Sequence, residues 1–141
     1  MSDEQEDKIE KTFIDGLGAK YPMAKIKKSD TQAYGIRFYP SVYCIAPATA
    51  GVLAQLASGA ADDPVALLAT TMQCPIVLCP AMNDAMWGQP SVQQNVATLQ
   101  ERGLEVLGPV EGHLAEGYDA VGRMVEPDEI VARLSSLLGV E

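Results

Sequence analysis

From residue 41 onward, short apolar runs alternate with amphipathic stretches along the chain. Runs 42–46 and 75–80 are apolar almost throughout, as expected of strands covered on both faces, and 104–108 is a third predicted strand. Apolar positions at helical spacing predict helices over 49–58, 65–72, 91–102 and 126–138. Strands that alternate with helices predict an α/β fold, namely a three-layer, Rossmann-like or flavodoxin-like parallel sheet with helices on both faces.

The first forty residues follow a different pattern. Residues 3–17 predict a helix, because Ile9, Phe13 and Leu17 recur on one face. Glycine and proline interrupt residues 18–40, which predict no regular element. We therefore expect a single globular domain with an atypical N-terminal helix and basic segment over 1–40 and a main domain over 41–141. The basic segment contains Lys20, Lys25, Lys27 and Lys28.

Composition and charge narrow the class of protein. The net charge of −9 argues against binding to nucleic acid or to an anionic membrane, because both need clustered basic residues. No apolar run approaches the roughly 20 residues that span a bilayer, and the acidic N-terminus is unlike a signal peptide. Three cysteines without a CxxC spacing argue against a disulfide framework or a metal site. A soluble, cytoplasmic protein with buried free thiols is expected.

Three loops follow the predicted strands, and ligands of parallel sheets collect where such loops meet. In the first, 46–51, small side chains would let a planar ligand approach, and Thr49 could donate to a phosphate or ring oxygen; a simple tight turn explains it equally well. In the second, 80–90, Met82, Met86 and Trp87 either fill the core or a subunit contact, or they form a wall around a flat cofactor. The third, 108–124, is glycine-rich, as lids or disordered segments often are.

Together these loops closely resemble the flavin-dependent cysteine decarboxylases, whose members include the phosphopantothenoylcysteine decarboxylases of coenzyme A synthesis. The resemblance runs from about Tyr43 to Glu129. It is carried, in order, by Ala46-Pro47-Ala48-Thr49-Ala50, Gly59-Ala60-Ala61-Asp62-Asp63, Pro80-Ala81-Met82-Asn83 with Met86-Trp87, Asn95-Val96 and Gly122-Arg123-Met124.

The resemblance implies an enzyme, a flavin-dependent carboxy-lyase with FMN as cofactor. In that family the flavin oxidises a thiol to a thioaldehyde, whose C=S bond takes up the electrons when the neighbouring carboxylate leaves. It implies that Asn83 binds the substrate carboxylate, and that the flavin lies against Ala48, Thr49, Met82 and Met86. It also implies a small-molecule or peptide thiol substrate, and a homotrimer or dodecamer with the flavin at a subunit boundary.

The sequence departs from the family at four places. It lacks an initial strand with the turn that holds the flavin phosphate. Ala33 falls where the family has a catalytic histidine, and Gly51 where it has a helix-opening asparagine. Glu116 takes the place of the cysteine that protonates the product-side intermediate. A carboxyl group could serve as that acid if burial raised its pKa, so Glu116 is the second candidate catalytic residue.

These departures leave two hypotheses about function. One is an active flavin-dependent decarboxylase, which rests on Asn83 and the intact loop 80–87. The other is a catalytically inactive family member that acts as a flavin-binding or oligomer-forming subunit, alone or with a paralogue. A purely structural subunit would have no use for Asn83.

Overall fold

The chain divides into two units, Met1–Ser41 and Val42–Glu141. The computed structural model describes residues 31–32, 35–36 and 40–140. In the first unit, β1 (Thr31–Gln32) pairs with β2 (Gly35–Ile36) in an antiparallel hairpin, within a stretch where the sequence predicted no regular element. The helix predicted over 3–17, the basic segment and Ala33 lie outside the described residues. The predicted boundary between 1–40 and 41–141 remains a prediction.

The second unit is built on a parallel sheet of three strands in the order β3-β4-β5. These strands are β3 (Tyr43–Ala48), β4 (Ile76–Pro80) and β5 (Glu105–Val106). All three were predicted, although β5 is shorter than expected and β3 extends to Ala48. Since the strands run parallel, their carboxyl ends and the loops that follow lie at one edge of the sheet.

Five helices connect or follow these strands in the second unit. They are α1 (Ala50–Ser58), α2 (Pro64–Ala69), α3 (Asp84–Trp87), α4 (Pro90–Glu101) and α5 (Pro127–Leu138). α1 begins where Thr49 accepts a hydrogen bond from the Val52 amide, and it ends at Gly59, whose φ of 79° suits glycine. Asp63 caps α2 in the same way through the Ala66 amide, at 2.9 Å. The sequence predicted every helix but α3.

The core has two parts, one on each face of the sheet. On one face, Ile45 and Leu78 of the strands pack with Leu53 of α1 and Leu99 of α4. On the other, the strand residues Val77 and Cys79 pack with Val125 and Ile130, the latter from α5. Helices therefore cover both faces of the sheet, which confirms the predicted three-layer α/β fold.

The third loop, which is rich in glycine, forms a regular hairpin, which corrects the alternative of a disordered segment. Strands β6 (Val110–His113) and β7 (Asp119–Arg123) pair antiparallel. The turn between them is closed by the Leu114 amide, which donates to the Tyr118 carbonyl at 2.9 Å. Gly117 lies in this turn at φ 92°, a conformation that glycine adopts without strain. Gly117 thus serves a tight turn rather than a flexible segment.

Candidate functional site

The three loops meet at the carboxyl edge of the sheet. The Ala81 amide donates to the Ala48 carbonyl at 3.2 Å, which joins the second loop to the first. The Met82 amide donates to the Gly122 carbonyl at 2.9 Å, which joins the second loop to the hairpin. A Cβ atom on Gly122 would lie 2.1 Å from the Met82 carbonyl oxygen, so only glycine permits this approach. The loops are therefore one connected site.

In the first loop, Ala48 and Thr49 differ in accessibility. Ala48 is fully buried in the core, whereas Thr49 is exposed at the start of α1. The Thr49 oxygen accepts from the Val52 amide at 3.2 Å, and accepting this bond leaves the hydroxyl hydrogen as a donor. The first turn of α1 carries no acidic residue, so its partial positive charge is not offset within the helix. This arrangement suits an electron-rich or anionic ligand atom above Thr49.

The second loop folds into the short helix α3, which the sequence did not predict. Asn83 caps this helix, because its Oδ1 accepts from the Ala85 amide at 2.8 Å. Met82 and Trp87 are half-buried and pack against the core. Met86 points outward with 48% of its surface exposed. Two of the three large side chains thus fill the core, while Met86 is available to a ligand or a neighbouring subunit.

Tyr118, at the end of the hairpin turn, contacts α3. Its hydroxyl donates to Oδ1 of Asp84 at 2.5 Å, and its oxygen accepts from Nδ2 of Asn83 at 3.2 Å. The hydrogen bond to the Asp84 carboxylate raises the pKa of Tyr118, and the charge of Glu116 adds to the increase. Tyr118 therefore keeps its proton at neutral pH. Sequence reasoning missed this residue, because its partners lie 34 and 35 positions away.

Glu116 and His113 also belong to the hairpin. Glu116 is exposed in the turn, so the burial on which a role as an acid depended is not found in this chain. His113 pairs with Asp119 across the hairpin, with Nδ1 and Oδ1 3.0 Å apart and both side chains largely exposed. Of the predicted site residues, Ala48, Thr49, Met82, Asn83 and Met86 lie on the first two loops, whereas Glu116 lies in the exposed turn of the third.

Cysteines and acidic residues form no metal cluster in the described part of the chain. Residues 40–140 contain no group of three or more His, Cys, Asp or Glu side chains placed to hold an ion. Cys44, Cys74 and Cys79 are free thiols, and Cys79 is buried. None of the helices within the described ranges is long and apolar enough to cross a membrane.

The profile of the family described as Flavoprotein matches residues 7–139. The chain belongs to the flavoprotein family. Among curated relatives, it is 46% identical over 91 residues to the coenzyme A biosynthesis bifunctional protein CoaBC of Haemophilus influenzae. That match covers 64% of this chain and 23% of the relative, so the flavoprotein spans about a quarter of that protein's length.

Two solved structures share the fold of this flavoprotein. A PPC decarboxylase variant complexed with pantothenoylaminoethenethiol superposes with a TM-score of 0.71 at 26% identity, over 79% of this chain and 66% of the other. The FMN-dependent cysteine decarboxylase SpaF gives a TM-score of 0.59 at 31% identity, over 80% of this chain and 64% of the other. These similarities agree with the family resemblance predicted from the sequence.

Proposed function

We propose that this flavoprotein binds FMN and catalyses the oxidative decarboxylation of a cysteine-derived carboxylate, with Asn83 binding the carboxylate. The observation that carries the proposal is the meeting of Thr49, Met82 and Asn83 on hydrogen-bonded loops at one edge of the sheet. The substrate is a small-molecule or peptide thiol, and phosphopantothenoylcysteine is the first candidate because CoaBC and PPC decarboxylase are similar proteins.

The residues of the first two loops fit a flat, electron-rich cofactor. Ala46 and Pro47 are small and exposed, and Gly51 would meet only the Thr49 hydroxyl oxygen, 3.8 Å from an added Cβ. Thr49 offers its hydroxyl hydrogen to a ring oxygen, and Met86 offers an exposed apolar surface. Ala48 is buried in the core, so it would support the position of Thr49 rather than contact the cofactor through its side chain. The chemistry that bound FMN supplies is two-electron oxidation of the substrate thiol, which activates the neighbouring carboxylate to leave.

Asn83 has the hydrogen-bonding capacity that a carboxylate binder needs. Its Nδ2 carries two hydrogens, and one of them is donated to Tyr118. The second hydrogen is left for a carboxylate oxygen, which can only accept. Oδ1 is held by the Ala85 amide, so the side chain is fixed before the substrate arrives. In this proposal Glu116 acts as an acid only once a ligand or a second subunit covers the exposed turn.

A second candidate function is that of an inactive, flavin-binding or oligomer-forming subunit, with or without a paralogue. The exposure of Glu116 favours it, because no proton donor is enclosed at the position of the family's cysteine. In either case we propose a homotrimer or dodecamer that works in the cytoplasm, without nucleic acid or membrane partners. The exposed Met86 supports an interface at the site.

The experiment has two stages and uses the full chain. FMN is first titrated into the purified protein and followed by flavin absorbance and fluorescence. A chain that stays colourless and cannot be reconstituted refutes, for the isolated chain, the enzyme and the flavin-binding form of the second candidate. The FMN-loaded protein is then incubated with phosphopantothenoylcysteine or a peptide with a C-terminal cysteine, and carbon dioxide is assayed. Release of carbon dioxide supports the enzyme, and a yellow but inactive protein supports the second candidate. Activity that survives Asn83→Ala would show that the site assignment is wrong.

A further inference from the structure

We infer that Tyr118 is a positioning residue that orients the Asn83 amide for the substrate carboxylate, an inference that rests on the proposed function. Tyr118 comes from the tip of the β6–β7 hairpin, whereas Asn83 begins α3. The 3.2 Å hydrogen bond between their side chains is thus a tertiary contact between two loops of the site.

The donors and acceptors of this group leave one arrangement of hydrogens. A backbone N–H can only donate, so the Ala85 amide requires an oxygen of Asn83 and fixes Oδ1 on that side. Nδ2 then faces the Tyr118 oxygen, which must accept. The hydroxyl hydrogen of Tyr118 is therefore committed to Asp84, 2.5 Å away, whose carboxylate can only accept. The direction of each hydrogen bond in this series therefore fixes the direction of the next.

The same hydrogen bonds give Tyr118 a second role, which concerns the charge of Asp84. A carboxylate beside a residue that binds another carboxylate would repel the substrate. Here Asp84 accepts a short hydrogen bond from Tyr118, which disperses part of its charge and directs that oxygen toward the hairpin. Tyr118 thus orients Asn83 and also holds the neighbouring Asp84 carboxylate by a hydrogen bond. Without the hydroxyl, the Asn83 amide would lose its partner on Nδ2, and Asp84 would be free to approach the ligand.

The test compares two ligands that differ only in the carboxylate. In phosphopantothenoylserine a hydroxyl replaces the thiol, so the ligand resists oxidation; phosphopantothenoylethanolamine also lacks the carboxylate. Each is titrated calorimetrically into the FMN-loaded protein. We expect the wild type to prefer the serine analogue by at least about tenfold, the value of one hydrogen bond to a charged group. Tyr118→Phe should reduce that preference by about threefold to tenfold, through weaker binding of the serine analogue alone.

Tyr43→Phe is the matched control. It removes a tyrosine hydroxyl that donates at 2.9 Å to the Val65 carbonyl, at the opposite end of β3 from the site. It should leave the preference between the analogues unchanged. A merely structural role for Tyr118 would weaken both analogues equally, so the carboxylate-specific loss is diagnostic.

The outcomes separate this inference from the proposed function. If the wild type binds both analogues equally, Asn83 does not recognise a carboxylate and both proposals fail. If the wild type prefers the serine analogue and Tyr118→Phe prefers it just as strongly, the inference alone is wrong. A second readout needs no ligand: the NMR signal of the Asn83 side-chain amide, assigned by its loss in Asn83→Asp, should shift in Tyr118→Phe. An unchanged signal would also overturn the inference.

Discussion

The backbone of β7 passes so close to the loop after β4 that residue 122 has no room for a side chain. An added Cβ would meet the Met82 carbonyl oxygen at 2.1 Å, and backbone atoms cannot turn aside as a flexible side chain can. We expect Gly122→Ala to lower the free energy of unfolding by about 1–3 kcal/mol and to weaken FMN binding, because the second loop must move. Urea unfolding and flavin titration measure the two effects.

Gly51→Ala is the matched control for that substitution. Gly51 lies in the first turn of α1, and its added Cβ would meet nothing closer than the Thr49 hydroxyl oxygen at 3.8 Å. Since alanine is a better helix former than glycine, the variant should gain roughly 0.5–1 kcal/mol in the free energy of unfolding. Equal losses in both variants would show that the contact of Gly122 with Met82 has no special effect on stability.

Cys79 should make the stability of the protein depend on alkaline pH. Burial raises the pKa of its thiol from 9.0 to about 12, and the neighbouring Cys44 adds to the increase. The unfolded thiol loses its proton at a lower pH than the folded one. The free energy of unfolding should therefore be unaffected by this group below about pH 9 and fall as the pH rises from there toward 12.

Urea unfolding of the wild type and of Cys79→Ala, at neutral pH and at a pH of about 10, measures this contribution. The variant should be less stable at neutral pH, because a buried side chain is shortened, but it should lose less stability on going to alkaline pH. Parallel losses in the two proteins would show that Cys79 does not titrate as expected.

Individual site residues could be predicted from the sequence only where a local motif identified them. Thr49 and Asn83 each follow a predicted strand, and in the structure each begins a helix at the carboxyl edge of the sheet. Tyr118 could not be found in this way, because its hydrogen bonds depend on how the hairpin packs on α3. The role proposed for Glu116 required burial, which depends on every element around the residue and cannot be read from one segment.

Thr49, at the start of α1, caps the helix and is also proposed to bind FMN, and substitutions can separate these two roles. Thr49→Ala removes the oxygen that accepts from the Val52 amide, which should lower the free energy of unfolding by about 1 kcal/mol. It also removes the proposed donor to FMN, so the flavin dissociation constant should rise. Thr49→Ser retains both groups and should resemble the wild type in urea unfolding and in flavin fluorescence titration.

Asp63→Ala provides the comparison for that experiment. Asp63 caps α2 through the Ala66 amide and accepts from Nε2 of Gln55 at 2.8 Å, so its loss should also destabilise the protein. It belongs to neither of the loops proposed to hold the flavin, and FMN affinity should remain at the wild-type value. Weaker FMN binding in both variants would mean that Thr49 acts through stability rather than through contact.

The beginning of α2 was predicted more accurately than its end. Asp63 followed by Pro64 identified the start of α2, but the predicted end at Met72 was three residues too late. Thr70 and Thr71 account for the difference, because their hydroxyls donate to the Leu67 and Leu68 carbonyls and satisfy them locally. The elements α3, β6 and β7 were missed because each is too short to show a hydrophobic period.

The molecule as a whole leaves apolar surface beside its candidate site. α3 packs against β7, and these elements with the hairpin turn carry Met86, Val121 and Tyr118, each between 42% and 48% exposed. Exposed apolar side chains on adjoining elements are typical of an interaction surface. The parallel sheet and its two covered faces could be predicted from hydrophobic pattern alone, but this surface could not, because it forms only when two loops come together.

If the proposed homotrimer forms through this surface, its disruption should release monomers. Light scattering of the wild type should then give a mass of about 45 kDa, three times the chain mass of 15.0 kDa, or about 180 kDa, twelve times the chain mass, for a dodecamer. Met86→Lys would place a charge in the buried contact and should shift the mass toward that of one chain. Val131→Lys lies on α5, outside this surface, where the side chain is 61% exposed, and it should leave the mass unchanged, because exposed positions tolerate lysine. A monomeric wild type would refute the trimer, whereas a trimer that survives Met86→Lys would show that the subunits meet through a different face.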